Sequence, residues 1–162
     1  ISNSHLISSV DSLKEKAIAS LKAYETEVAC EQCLQACELA MREYVKKLEN
    51  SSKIEIIPEN IGNPWKYRTY TRLCRLLTKK LNTESARDLS CGWNQATELN
   101  SHGYSHYNRP IEEVEPYFPI VLRFLEIFKN EVQVNKEMAE YLQGNLFKLN
   151  HDQPGEEIKK IQ

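Results

Sequence analysis

The stretch Asn100–Arg109, NSHGYSHYNR, holds the densest set of groups in this sequence that could do chemistry. His102 and His106 stand four residues apart and share a face if the stretch is helical, with Arg109 three residues further on. An imidazole titrating near neutrality can give and take protons, and a guanidinium can hold a phosphate. With Asn100 beside them, these are the ingredients of metal-independent phosphodiester cleavage, His106 acting as general base or acid. The same residues also read as polar groups that tie a helix end to its neighbours, with Gly103 marking a break.

Two further groupings invite a chemical reading. Cys30, Cys33 and Cys37 give C-x-x-C-x-x-x-C, which puts three thiols on one helical face. Such thiolates could grip zinc with Cys91 or a histidine as fourth ligand. They also fall in register with Leu34, Met41 and Val45, as free cysteines in a core stripe do. Core packing is the reading carried forward, and no metal site is assigned. Arg68, Arg72, Arg75 and Lys79 line one face of another helical segment, with Tyr67 and Tyr70 near them. Cations so spaced could follow a nucleic-acid backbone while rings stack on bases. Such a face is otherwise simply solvated. No glycine-rich phosphate loop, H-E-x-x-H pair or G-x-S-x-G elbow occurs, so neither a cofactor nor an ATP-dependent or acyl-transfer reaction is expected.

These residues need elements to position them, and the hydrophobic period supplies helices. Val10, Leu13, Ala17, Leu21, Tyr24 and Val28 recur at three- and four-residue steps. A second stripe runs from Cys30 through Met41, Tyr44 and Val45 to Leu48, with a turn expected near Tyr24–Glu27 and Thr26 as a cap. Asn50-Ser51-Ser52 ends it. Pro58, Gly62 and Pro64 then impose an ordered loop near 50–66, with Trp65 as its anchor. A third helix carries Tyr70, Leu73, Cys74, Leu77 and Leu81. A fourth, capped by Ser85, carries Ala86, Leu89, Trp93, Ala96 and Leu99. The closing helix shows Val114, Phe118, Val121, Leu125, Phe128 and Val132. Its regular part begins around 116–119, because Pro116 and Pro119 cannot sit in a helix interior.

Two of these stretches resemble HEPN domains (higher eukaryote and prokaryote nucleotide-binding). Ala29–Leu48, ACEQCLQACELAMREYVKKL, is similar to the family's early helix, and Leu99–Phe128 is similar to its closing segment, where a polar motif ending in histidine precedes a final amphipathic helix. The form is closest to HEPN-like regions attached to ATPases of bacterial anti-phage defence. The resemblance implies dimeric, metal-independent RNases whose arginine and histidine meet at the dimer cleft. It puts His106 at the histidine of the Arg-x(4–6)-His motif and Asn100 at or beside the arginine. Neither alignment supplies the arginine: Leu99 or Asn100 stands there, Arg109 follows His106, and Arg87 is too far before it.

Composition sets the outer bounds. The chain has 162 residues, 41% hydrophobic and 27% charged, with a net charge of −2. Bulk charge thus favours neither nucleic acid nor an anionic membrane. No apolar run approaches the ~20 residues that span a bilayer, and no secretory signal opens the chain. Five cysteines, several at helical spacing, suit a reducing, cytoplasmic compartment. An opening at Ile1 rather than Met reads as a piece of something longer. The expected fold is all-α, an antiparallel bundle of four to five helices over 1–148 with a polar tail at 149–162. The expected function is a non-catalytic module that forms a homodimer or docks on other domains of a larger prokaryotic defence protein. The closing helix and the His-Tyr segment would supply its contact surface. The alternatives are a metal-independent RNase or toxin using His106, His102, Asn100 and Arg109, or RNA or DNA binding through Arg68, Arg72, Arg75 and Lys79.

Overall fold

In chain order the helices are α1 (Ser9–Lys22), α2 (Thr26–Ser52), α3 (Tyr67–Thr78), α4 (Thr83–Asn100), the single-turn α5 (Ile111–Val114), α6 (Phe118–Asn130) and α7 (Lys136–Asn145). They come from a computed structural model that describes residues 9–100 and 109–147, and among these every regular element is helical. The all-α expectation therefore holds. The number of helices does not, because α7 follows the helix read as the closing one. Residues 148–162, which hold the expected polar tail, lie outside the described residues.

The ends of the helices follow from local chemistry. α1 stops because Tyr24 turns to φ 62°, which lets the Glu25 N–H reach the Ser20 carbonyl at 2.9 Å and the Tyr24 N–H reach that of Leu21 at 3.0 Å. This pairing closes the last turn of a helix with a left-handed residue. α2 ends the same way at Lys53, φ 60°, whose N–H donates to the Glu49 carbonyl. The Glu49 carboxylate then accepts the N–H groups of Ile56 and Ile57, at 2.9 and 3.0 Å, and seats Ile56 in the core. Two expected caps are corrected. Asn82, not Ser85, caps α4, accepting the Ser85 N–H at 2.8 Å. Nor does Thr26 occupy the cap position of α2: Glu25 does, and the Thr26 hydroxyl donates to a distant partner described below.

α2 is the element around which the others pack; α1, α3, α4, α5, α6 and α7 all touch it. α1 folds back along it, with the Ser20 hydroxyl donating to Gln32 Oε1 at 2.8 Å. α6 buries Phe118, Val121, Phe124, Leu125, Ile127 and Phe128. At about 1.5–3 kcal/mol per buried large apolar side chain, this makes α6 a principal contributor to stability. Most of its apolar stripe faces inward, against α2 and α4, while Leu122 stays half-buried. α4 comes so close that a Cβ on Gly92 would lie 2.5 Å from Phe124 Cβ. No helix of the described residues is long and apolar enough to cross a membrane.

Candidate functional site

The segment with the richest chemistry leaves the last turn of α4 and returns just before α5, and both of its ends are fastened to the start of α2. Asn100 Nδ2 donates to the carbonyl oxygens of Cys30 and Ala96, each at 2.9 Å. Nine residues on, the Arg109 carbonyl accepts the Thr26 hydroxyl at 2.6 Å. One turn of α2 separates Thr26 from Cys30, so the two ends of the segment meet on the same patch of one helix. The structure thus brings Asn100 and Arg109 together. His102 and His106 lie outside the described residues. The Asn100 amide nitrogen spends both hydrogens on backbone carbonyls, which is the helix-tethering role. Arg109 Nη2 is buried and has no hydrogen-bond partner among the described residues.

The cysteine stripe lies inside the bundle. Cys30, Cys33 and Cys37 are all buried on α2, whereas Cys91 is exposed on α4. Burial pushes the Cys30 thiol up to about 11, although the nearby Arg109 charge pulls the other way. Burial, reinforced by Cys30, raises Cys33 to about 12, and Cys37 is raised still more strongly. These groups stay protonated and act as small apolar side chains. Among the described residues no group of three His, Cys, Asp or Glu side chains could hold a metal ion.

The basic residues of α3 form a stripe, with one change to the aromatic assignment. Arg68, Arg75 and Lys79 are exposed, while Arg72 is half-buried and donates through Nη2 to the Asn145 carbonyl at 2.8 Å. Burial, and then the charges of Arg68 and Arg75, hold the Arg72 guanidinium below its ordinary value. Tyr70 is 3% exposed and cannot stack on an outside partner. It lies between Trp65 and Trp93, and its hydroxyl accepts from Arg42 Nη1 at 2.6 Å. Tyr67, by contrast, is 63% exposed.

A feature that the sequence did not disclose is an open groove of about 1100 Å³ between α1, α2 and α6. Val10, Ala40, Leu122, Leu125, Phe128 and Val134 give it an apolar lining. Asp11, Lys14, Glu43, Lys47, Glu126 and Lys129 supply charges of both signs around it. At one edge Arg123 bonds to Asp88 at 3.2 Å and to Glu131, which also accepts the Ser85 hydroxyl. The hydrogen bond from Ser85, and next that from Arg123, hold the Glu131 carboxyl below the usual range. The one sequence signal for this edge was an arginine inside an otherwise apolar stripe. No family model matches this chain, and neither a curated protein nor a solved structure matches it.

Proposed function

We propose that this chain is a non-catalytic helical interaction module that pairs with a second copy of itself through the α1–α2–α6 groove. The observation that carries this reading is the groove's apolar lining within a mixed-sign rim. A two-fold interface presents one patch to its own copy, so the patch must be complementary to itself. A rim of one sign would repel its copy, whereas Lys14 and Lys47 beside Glu43 and Glu126 can each meet an opposite charge. An apolar centre within a polar rim is also the usual anatomy of a stable interface. Two further points support a role without catalysis. The arginine position of the HEPN-type motif is vacant, and Asn100 is committed to backbone carbonyls. The resemblance to HEPN domains, which work as dimers, supports placing the module in a larger prokaryotic protein of the anti-phage defence kind.

Sedimentation velocity across a concentration series tests the pairing. The wild-type chain is expected to pass from monomer to dimer in the micromolar range, the affinity of an ordinary weak interface of about 1,200 Å² or more. Leu122→Asp puts a charge on the groove's apolar lining and is expected to stay monomeric while keeping its helical circular dichroism. A wild-type chain that remains monomeric at high micromolar concentration would overturn the reading, as would a Leu122→Asp variant that dimerises as well as wild type.

A further inference from the structure

The groove leaves the basic stripe of α3 unexplained, and that stripe sits on a different face of the molecule. Arg68, Arg72, Arg75 and Lys79 follow one another at steps of four, three and four, so they fall on one line down the helix. With a rise of about 1.5 Å per residue, the line is about 16 Å long. Arg68, Arg75 and Lys79 join none of the ion pairs among the described residues, which gather at Arg123 and Lys129. In a chain of net charge −2, that concentrates positive charge locally. Arg72 is tethered to the Asn145 carbonyl, which fixes the middle of the line. At its upper end stands Tyr67, whose ring stacks on Trp93 with centroids 6.1 Å apart and planes 23° apart. Trp93 is in turn in ring contact with Tyr70 and Phe124, so the exposed ring rests on a rigid aromatic column.

We propose that this face of α3 binds a single-stranded polynucleotide, with the cations beside successive phosphates and a base stacked on Tyr67. At a stacked rise of about 3.4 Å per nucleotide, the line reaches roughly four to five phosphates. Stacking on a preset ring is tolerant of base identity, and nothing in the stripe reads a 2′-hydroxyl. DNA and RNA strands should therefore bind alike and without strong sequence preference. A duplex offers no unstacked base to Tyr67 and should bind more weakly.

Fluorescence anisotropy of the full chain with labelled oligo-dT and oligo-U of roughly 16 nucleotides tests this. Both strands should bind, and log affinity should fall with log salt at a slope of about −2 to −3, as roughly three to four neutralised phosphates require. Arg68→Glu/Arg75→Glu should weaken binding by about tenfold or more. Tyr67→Ala should weaken it by about fivefold or more. Lys16→Glu, on α1, should leave it unchanged. If the double variant fails to fold, Arg75→Glu/Lys79→Glu repeats the test lower on the stripe. Binding that ignores salt, or that survives both charge reversals, would overturn the proposal. So would binding to phosphatidylserine vesicles as tight as to the oligonucleotides and indifferent to Tyr67→Ala, which would make the stripe a lipid-headgroup surface.

Discussion

The two sides of α6 are built to different standards. Toward α4 it is packed to backbone contact at Gly92, with Trp93, Phe124 and Phe128 forming a chain of rings. Toward α1 it leaves Leu122 half-buried at the edge of an open groove. One helix cannot owe this contrast to its own propensity. The packed side is met closely from α4, whereas on the open side Leu122 packs on the core from one flank and is only half-covered by the described residues. Packing of the first kind holds the fold; the second kind is where the proposed self-pairing would add cover.

Substitutions on each side sharpen the contrast. The largest effect is expected from Phe124→Ala, which empties a fully buried site where α2, α4 and α6 meet. It should lower stability by about 3–5 kcal/mol in urea unfolding. Gly92→Ala comes next. Its methyl would meet Phe124 Cβ at 2.5 Å and the Ile120 carbonyl at 3.1 Å, neither of them a flexible chain end. Overpacking of about 1–3 kcal/mol should outweigh the roughly 1 kcal/mol that alanine gains over glycine in a helix, giving a net loss in thermal melts. A tolerated Gly92→Ala would mean that the seam is looser than its geometry indicates.

The ionic edge of the same seam should respond to acid. The Glu131 carboxyl is depressed in the folded state, so its stabilising effect is complete above the ordinary carboxylate value of 4.5 and is lost as pH falls through its lower folded value. Wild type should therefore melt above Glu131→Gln at neutral pH, and the two curves should converge as pH falls below about 4.5. A difference that persists in acid would assign the effect to packing rather than charge. The smallest effect belongs to the open side. Leu122→Ala, measured on dilute monomer, should cost less than about 1 kcal/mol, because the side chain is only partly removed from water there.

How much of this was legible in the sequence follows the reach of each interaction. The bodies of α1 to α4 and α6 could be read because their apolar residues repeat at helical spacing. The break before α6 was equally plain from Pro116 and Pro119. α7 was missed because Met138, Ala139 and Leu142 make a thin stripe in polar surroundings, although Asn135, which accepts the Met138 N–H at 2.8 Å, was a usable start signal. Other features depend on contacts no local pattern encodes. Tyr67 and Tyr70 are three residues apart and look alike in sequence, and both touch Trp93, yet Tyr70 is buried with contacts to Arg42 and Trp65 while Tyr67 stays exposed. Thr26 is a plausible cap by position, but its hydroxyl serves Arg109, 83 residues away. The groove exists only in the assembled chain, where α1 and α6 both pack on α2 and leave an opening lined by all three.

The most direct test of self-pairing is a charge-swap experiment on the groove rim. One variant carries Lys14→Glu and Lys47→Glu, and the other carries Glu43→Lys and Glu126→Lys; each is analysed alone and then mixed by sedimentation equilibrium. A self-complementary interface predicts that each variant alone is mostly monomer and that the mixture restores a heterodimer. Variants that each dimerise like wild type, or a mixture that stays monomeric while wild type pairs, would contradict the groove as the place where two copies meet.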